Sequence, residues 1–312
     1  MKPLIIIEGP TASGKSGVAL QLAEKIGTEI ISADSRQVYR YMNIGTAKPS
    51  VSDRGKVVHH LVDIVDPDEE YSAGQFISDA EKIIKKLGEE GKVPIICGGT
   101  GFYVKALLEG LFAAPEIPLK VKKEIEELED SKGTNYLHTM LKHIDPESAL
   151  RVHPNDSYRI KRALEIWIAT GEKVGELWQR QSKEDKRYDP FRIMITEERD
   201  VIYERINRRL EKMIKDGLID EIKELIKKGY GEKDPGMTSV GYREFLPYVS
   251  SNDPFTLCLE EAKKNTRNYA KRQFTWYRKI VFDLVLRNEG SGSGFSDEIL
   301  KKFYEKEKKS LS

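Results

Sequence analysis

Residues 4–16 read Leu-Ile-Ile-Ile-Glu-Gly-Pro-Thr-Ala-Ser-Gly-Lys-Ser. The apolar run at its start is too short to span a membrane and reads as a buried strand. Gly9, Pro10, Thr11, Ala12, Ser13, Gly14, Lys15 and Ser16 then satisfy the pattern G-x-x-x-x-G-K-[ST], and a helical pattern follows over residues 15–26. A strand before and a helix after is the context this pattern requires. The glycines let successive N–H groups turn inward around phosphate oxygens, and the helix N-terminus adds partial positive charge. Lys15 is placed to neutralise a terminal phosphate, and Ser16 to ligate Mg²⁺. The loop alone does not choose among hydrolases, kinases and other transferases.

Working outward, residues 28–33 (TEIISA) and 93–97 form two more short apolar runs, and residues 72–90 carry helical spacing with Ser72 as N-cap. Strands alternating with helices predict a parallel sheet covered on both faces. From about residue 115 the pattern becomes helical, over 120–130, 136–144, 146–152, 156–170 and 174–181. Residues 191–195 restore a strand; helices follow over 199–215, 218–228 and 255–279, and a last strand over 280–286. The fold class is therefore α/β: a core like that of P-loop nucleoside triphosphate hydrolases, a parallel sheet flanked by helices, with a helical insertion. Residues 1–114 and 190–287 form the core, 115–189 the insertion, and 288–312 a Gly-Ser linker and a charged helix, either packed on the core or frayed.

Composition narrows the function. Lys plus Arg is 52 against 51 Asp plus Glu, so a nucleic-acid surface has to be a local patch. With 33% charged residues, two cysteines and no long apolar run, the expectation is a cytoplasmic protein without disulfides or membrane spans. None of the five histidines has zinc-ligand spacing.

Asp34 and Thr100 follow the second and third apolar runs, at strand ends that face the loop's ligand in an open parallel sheet. Asp34 is a general base or the cap of a turn over 35–41; Thr100 is a polar site residue or the N-cap of the next helix. Near the C-terminus, Lys263, Lys264, Arg267, Lys271, Arg272, Arg278 and Lys279 share one helix with Tyr269, Phe274, Trp276 and Tyr277. Arg159, Lys161 and Arg162 form a second basic cluster. Each cluster is a phosphate-gripping face or a solvated helix, and the pair beside a phosphate loop favours RNA.

The motifs GPTASGKS (9–16), ISADSRQVY (31–39), NIGTAKP (43–49), HHLVDI (59–64), DPDEEYSAGQF (66–76), GGTGFY (98–103), HPNDSYRIKRALEI (153–166), SVGYRE (239–244) and KRQFTWYR (271–278) occur in this order. With them the chain resembles the bacterial tRNA dimethylallyltransferase family, from residue 4 to about 286. The resemblance implies transfer of a dimethylallyl group from dimethylallyl diphosphate to N6 of adenosine 37, in tRNAs reading codons that begin with U. Diphosphate is the second product and Mg²⁺ the cofactor. It implies catalytic roles for Asp34, Thr100 and Arg209, the last within R-I-x-x-R, where Arg208 is an adjacent alternative. It implies contacts with the tRNA anticodon stem-loop from Asp34, Ser35, Arg36, Gln37, Thr100 and Lys122. Further contacts come from Tyr158, Arg159, Ile160, Lys161 and Arg162, and from 238–243 including Gly241, Tyr242 and Arg243. The last group is Lys271, Arg272, Gln273, Phe274, Thr275, Trp276, Tyr277 and Arg278. Thr238 and Ser239 stand where some relatives carry bulkier or basic residues. With a bacterial-type member, no zinc-finger extension of the eukaryotic kind is expected, and a monomer is expected. The alternative function is an ATP-dependent small-molecule kinase, which shares the loop.

Overall fold

A computed structural model describes residues 3–111, 116–181, 188–251, 253–289 and 294–311. The chain divides into two compact units, Met1–Ala106 with Tyr188–Ser312, and Leu107–Arg187. In chain order, the first unit begins with β1 (Ile5–Glu8), α1 (Lys15–Ile26), β2 (Ile30–Ser32), α2 (Val51–Lys56), β3 (His59–His60), α3 (Ala73–Glu89), β4 (Ile95–Gly98) and α4 (Gly101–Glu109). The second unit holds α5 (Leu119–Lys132), α6 (Thr134–Ile144), α7 (Pro146–Arg151), α8 (Ser157–Thr170) and α9 (Val174–Gln181). The first unit resumes with β5 (Phe191–Thr196), α10 (Arg199–Lys215), α11 (Leu218–Lys227), α12 (Leu246–Ser251), α13 (Phe255–Tyr277), β6 (Leu284–Arg287) and α14 (Phe295–Leu311). The first division between units falls inside α4, between residues 106 and 107.

The six strands form one all-parallel sheet in the order β3-β2-β4-β1-β5-β6. β1 lies at its centre, and Ile5, Ile6 and Ile7 are fully buried. A strand covered on both faces needs no polar alternation, and each isoleucine contributes about 2 kcal/mol by burial. α1 starts at Gly14 and stops at Gly27, both left-handed. α3 starts as expected, with a capping box in which Ser72 and Gln75 satisfy each other's N–H groups. The last strand is shorter than expected, Leu284–Arg287, because the chain first turns through 278–283 after α13. β3 escaped the sequence reading: two half-buried histidines at a sheet edge carry no periodic signal.

Of the expected 288–294 linker, residues 290–293 lie outside the described residues. Asn288 is buried, and the tail beyond is packed: Ile299 and Phe303 of α14 enter the core beside α1, β5 and β6. The second unit has its own core, centred on Leu137, Leu141, Ile160, Leu164 and Ile166. Among the described residues no helix is long and apolar enough to cross a membrane.

Candidate active site

The loop leaves the carboxyl end of β1, so the sheet centre delivers its ligand site. Gly9 has to be glycine, since a Cβ there would lie 2.1 Å from the Ile195 carbonyl oxygen. Lys15 folds back over the loop, with Nζ donating to the Pro10 carbonyl at 3.4 Å. Burial pushes its pKa below the ordinary lysine value; Cys97 and Asp34 oppose that fall, and the charge of Arg209 adds to it. Arg209 donates to Thr11 Oγ1 at 2.6 Å, and burial lowers its pKa while Asp34 opposes. Lys15, Asp34 and Arg209 therefore share one electrostatic site. Burial raises the Cys97 thiol to about 11, which keeps it neutral near pH 7.

The three arginines near the R-I-x-x-R helix are now distinct. Arg209 faces the loop, Arg205 donates to the Asn288 carbonyl at 2.7 Å, and Arg208 is exposed and pairs with Glu204.

Asp34 and Thr100 follow β2 and β4, the two strands next to β1 on one side. Asp34 Oδ1 accepts from the Arg36 N–H at 2.9 Å, and Oδ2 has no hydrogen-bond partner among the described residues. One oxygen caps the turn and the other remains open to chemistry. The Thr100 hydroxyl does not cap its own helix. It accepts from the Ser35 N–H at 3.0 Å and donates to Ser35 Oγ at 3.3 Å. Tyr269 of α13 also hydrogen-bonds to Thr100, and burial raises its phenol to about 12.

The expected RNA-contacting residues separate by burial. Lys271, Arg272 and Thr275 of α13 and Arg278 at its C-terminal cap are exposed, and Phe274 and Trp276 are half-buried. Gln273 and Tyr277 point inward instead, to the loop and to β4. Gln37 is buried too, accepting from Ser32 Oγ at 3.1 Å and donating to the Ala47 carbonyl at 3.1 Å. Tyr242 is fully buried; its hydroxyl donates to Glu221 at 2.6 Å and accepts from the Gly45 N–H at 3.0 Å. Ile160 is in the core of the second unit. The implied side-chain contact with RNA is corrected for these five residues to this extent: their side chains are buried and do not face solvent. Arg36 instead reaches the Pro235 carbonyl at 3.0 Å, and Arg243 pairs with Glu244 at 2.7 Å. In the second unit Tyr158 is exposed and Lys122 half-buried. Arg159, Lys161 and Arg162 are paired with Asp156, Glu129 and Glu165, at 2.5, 2.9 and 3.4 Å. A cavity of about 290 Å³ flanks α13, lined among others by Arg199, Lys271, Phe274, Arg278 and Arg287.

Two contributors escaped the sequence reading. Glu221 accepts from the N–H groups of Asn43, Ile44 and Gly45 and so holds the 43–49 motif. Asn288 donates to the Ser13 carbonyl at 3.0 Å. Neither carries a local signal: one is an acid among many on a helix, the other opens what reads as a linker.

An all-parallel sheet with a glycine loop at its centre, and Asp34 and Thr100 on neighbouring strand ends, defines an α/β protein of the P-loop class. The chain belongs to the IPP transferase family, whose model matches residues 37–280; an isopentenyl transferase model matches residues 2–60. It is 43% identical over 291 residues to a tRNA dimethylallyltransferase of Thermotoga maritima, covering 92% of this chain and 94% of that one. It is 43% identical over 276 residues to a tRNA dimethylallyltransferase of Geobacter metallireducens, covering 88% and 89%. Among solved structures it is similar to the tRNA isopentenylpyrophosphate transferase of Bacillus halodurans, with TM-score 0.73, 35% identity and all of both chains covered. It is also similar to a eukaryotic dimethylallyltransferase acting on tRNA, with TM-score 0.77, 29% identity, and 95% and 75% covered.

Proposed function

We propose that this chain transfers the dimethylallyl group of dimethylallyl diphosphate to N6 of adenosine 37 in tRNAs reading codons that begin with U. The products are N6-dimethylallyladenosine and diphosphate. The observation that carries the reading is the convergence of Lys15, Arg209 and Asp34 on one site. Two cations and the α1 N-terminus suit a leaving diphosphate, and an open carboxylate oxygen suits a departing proton.

The N6 lone pair attacks the allylic C1 as the C1–O bond breaks, and the electron pair leaves with the diphosphate. Lys15, Arg209 and the first-turn N–H groups of α1 stabilise that charge. Asp34 Oδ2 takes the N6 proton, and Thr100 fixes the Ser35 backbone beside it. Ser16 is exposed in the first turn of α1, and its hydroxyl is the group that would hold a magnesium ion beside the diphosphate. Bound there, magnesium would neutralise part of the diphosphate charge. Adenosine 37 has to leave the anticodon stack to reach the strand ends. The exposed cations of α13 suit the RNA backbone, and a tRNA substrate implies a cytoplasmic setting. We take the working form to be a monomer.

None of the relatives named above favours the kinase alternative. The test supplies labelled dimethylallyl diphosphate or γ-labelled ATP with unmodified tRNA. Label should enter tRNA from the prenyl donor alone; phosphate transfer from ATP to a small molecule would overturn the reading.

A further inference from the structure

The phosphate loop carries a non-glycine residue, Ala12, at φ 64. That left-handed conformation is unfavourable for an L-residue and persists where neighbours over-determine it. Backbone groups of Thr11 and Ser13, the residues on either side of Ala12, are taken by side chains from outside the loop. The Thr11 N–H donates to Gln273 Oε1 at 2.8 Å, and the Ser13 carbonyl accepts from Asn288 Nδ2 at 3.0 Å.

The Gln273 side chain and the Asn288 backbone are each anchored at a second point. Gln273 Nε2 donates to the Gly99 carbonyl at 2.9 Å, so one residue of α13 bridges the loop after β1 and the turn that carries Thr100. One helical turn on, the Tyr277 hydroxyl lies 3.4 Å from the Gly9 carbonyl and 3.5 Å from that of Gly99. The Asn288 N–H donates to the Thr196 carbonyl at 2.9 Å, and its carbonyl accepts from Arg205 at 2.7 Å. Glycines make the room. A Cβ on Gly99 would lie 2.6 Å from Gln273 Nε2, and one on Gly14 would lie 2.2 Å from Asn288 Nδ2. Gln273 and Asn288 are 6% and 8% exposed, which leaves little of either for RNA.

We propose that Gln273 and Asn288 are positioning residues of the diphosphate site, holding the loop in its binding shape before the ligand arrives. Gln273 lies in the 271–278 stretch whose resemblance implies RNA contact, and Asn288 lies beyond the stretch that resemblance covers. The inference rests on the reading that the Gly9–Ser16 loop holds diphosphate.

The experiment uses the full chain with Gln273→Met, which keeps length and removes both hydrogen bonds, Asn288→Ala, and Lys15→Ala as control. Inorganic diphosphate with Mg²⁺ is titrated by calorimetry well below each variant's melting temperature, and an anticodon stem-loop RNA by fluorescence anisotropy. Gln273→Met and Asn288→Ala are each expected to weaken diphosphate binding by about tenfold, the scale of one or two lost hydrogen bonds. RNA affinity should stay within about twofold, since neither residue faces solvent. Weakened RNA binding with unchanged diphosphate binding would return Gln273 to the RNA surface and overturn the inference. Unchanged diphosphate affinity in both variants, whatever their melting temperatures, would reduce the clamps to packing. If those two variants bind normally while Lys15→Ala does not, only the clamp inference falls. If Lys15→Ala also binds normally, the reading of the loop falls with it.

Discussion

Asp34 has two oxygens in two situations, and this separates its roles. Oδ1 caps the Arg36 N–H, while Oδ2 has no hydrogen-bond partner among the described residues. Asp34→Asn keeps an acceptor for the cap and removes the proton acceptor. Turnover is expected to fall by roughly a hundredfold or more, with RNA affinity and melting temperature kept. A variant that turns over normally would leave Asp34 as a cap alone. The same scale explains why counting motif residues overstates an interface. Gln37, Ile160, Tyr242, Gln273 and Tyr277 sit inside stretches that read as RNA-binding, yet each is buried. A surface helix or turn presents some of its residues outward and buries the rest, and a motif quoted as a string does not distinguish them.

Among elements, the carboxylate of Glu129 ties three helices of the second unit, α5, α6 and α8. Glu129 of α5 accepts from Thr134 at 2.7 Å, pairs with Lys161 of α8 at 2.9 Å and hydrogen-bonds to Ser157. Hydrogen bonds from Ser157, Lys161 and Thr134 hold its pKa at about 2, against an ordinary 4.5. A carboxylate depressed on folding stabilises the folded form above its ordinary pKa, and that contribution is lost as pH falls towards the depressed one. Between pH 4.5 and about 2, wild-type stability should therefore drop more steeply than that of Glu129→Gln, followed by circular dichroism in urea at each pH. Parallel acid limbs would show that Glu129 contributes nothing to holding the unit. The same pairing means that Arg159, Lys161 and Arg162 form a balanced face, whereas α13 and its C-terminal cap expose Lys271, Arg272 and Arg278.

For the whole molecule, the C-terminal helix is part of the core. Phe303 of α14 is 3% exposed and packs edge-on against Phe191 of β5, with ring centroids 5.8 Å apart. Phe303→Ala should cost about 3 kcal/mol, read as a lower melting temperature with diphosphate affinity retained once folded. An unchanged melting temperature would mean that α14 does not dock in solution. The sheet order explains the site's extent. Successive loops from β2, β4 and β1 carry Asp34, Thr100 and Lys15, and the ends of β5 and β6 add Thr196 and Asn288 at the same edge. Residues far apart in sequence meet because every strand points the same way.

The parallel α/β core, the loop from Gly9 to Ser16, the cap at Ser72 and the family were all legible in the chain's residues alone. Those features are local: apolar runs, glycine spacing and capping pairs act over a few residues. Arg209 was also legible beside Arg208, but only its position over Thr11 separated the two. What the tertiary structure alone decided was which side chains face the loop and which face water. β3, the Glu221 support and the clamps from Gln273 and Asn288 depend on contacts across 21 to 275 residues of chain. Such contacts follow from how the sheet orders its strands, and no window of sequence contains them.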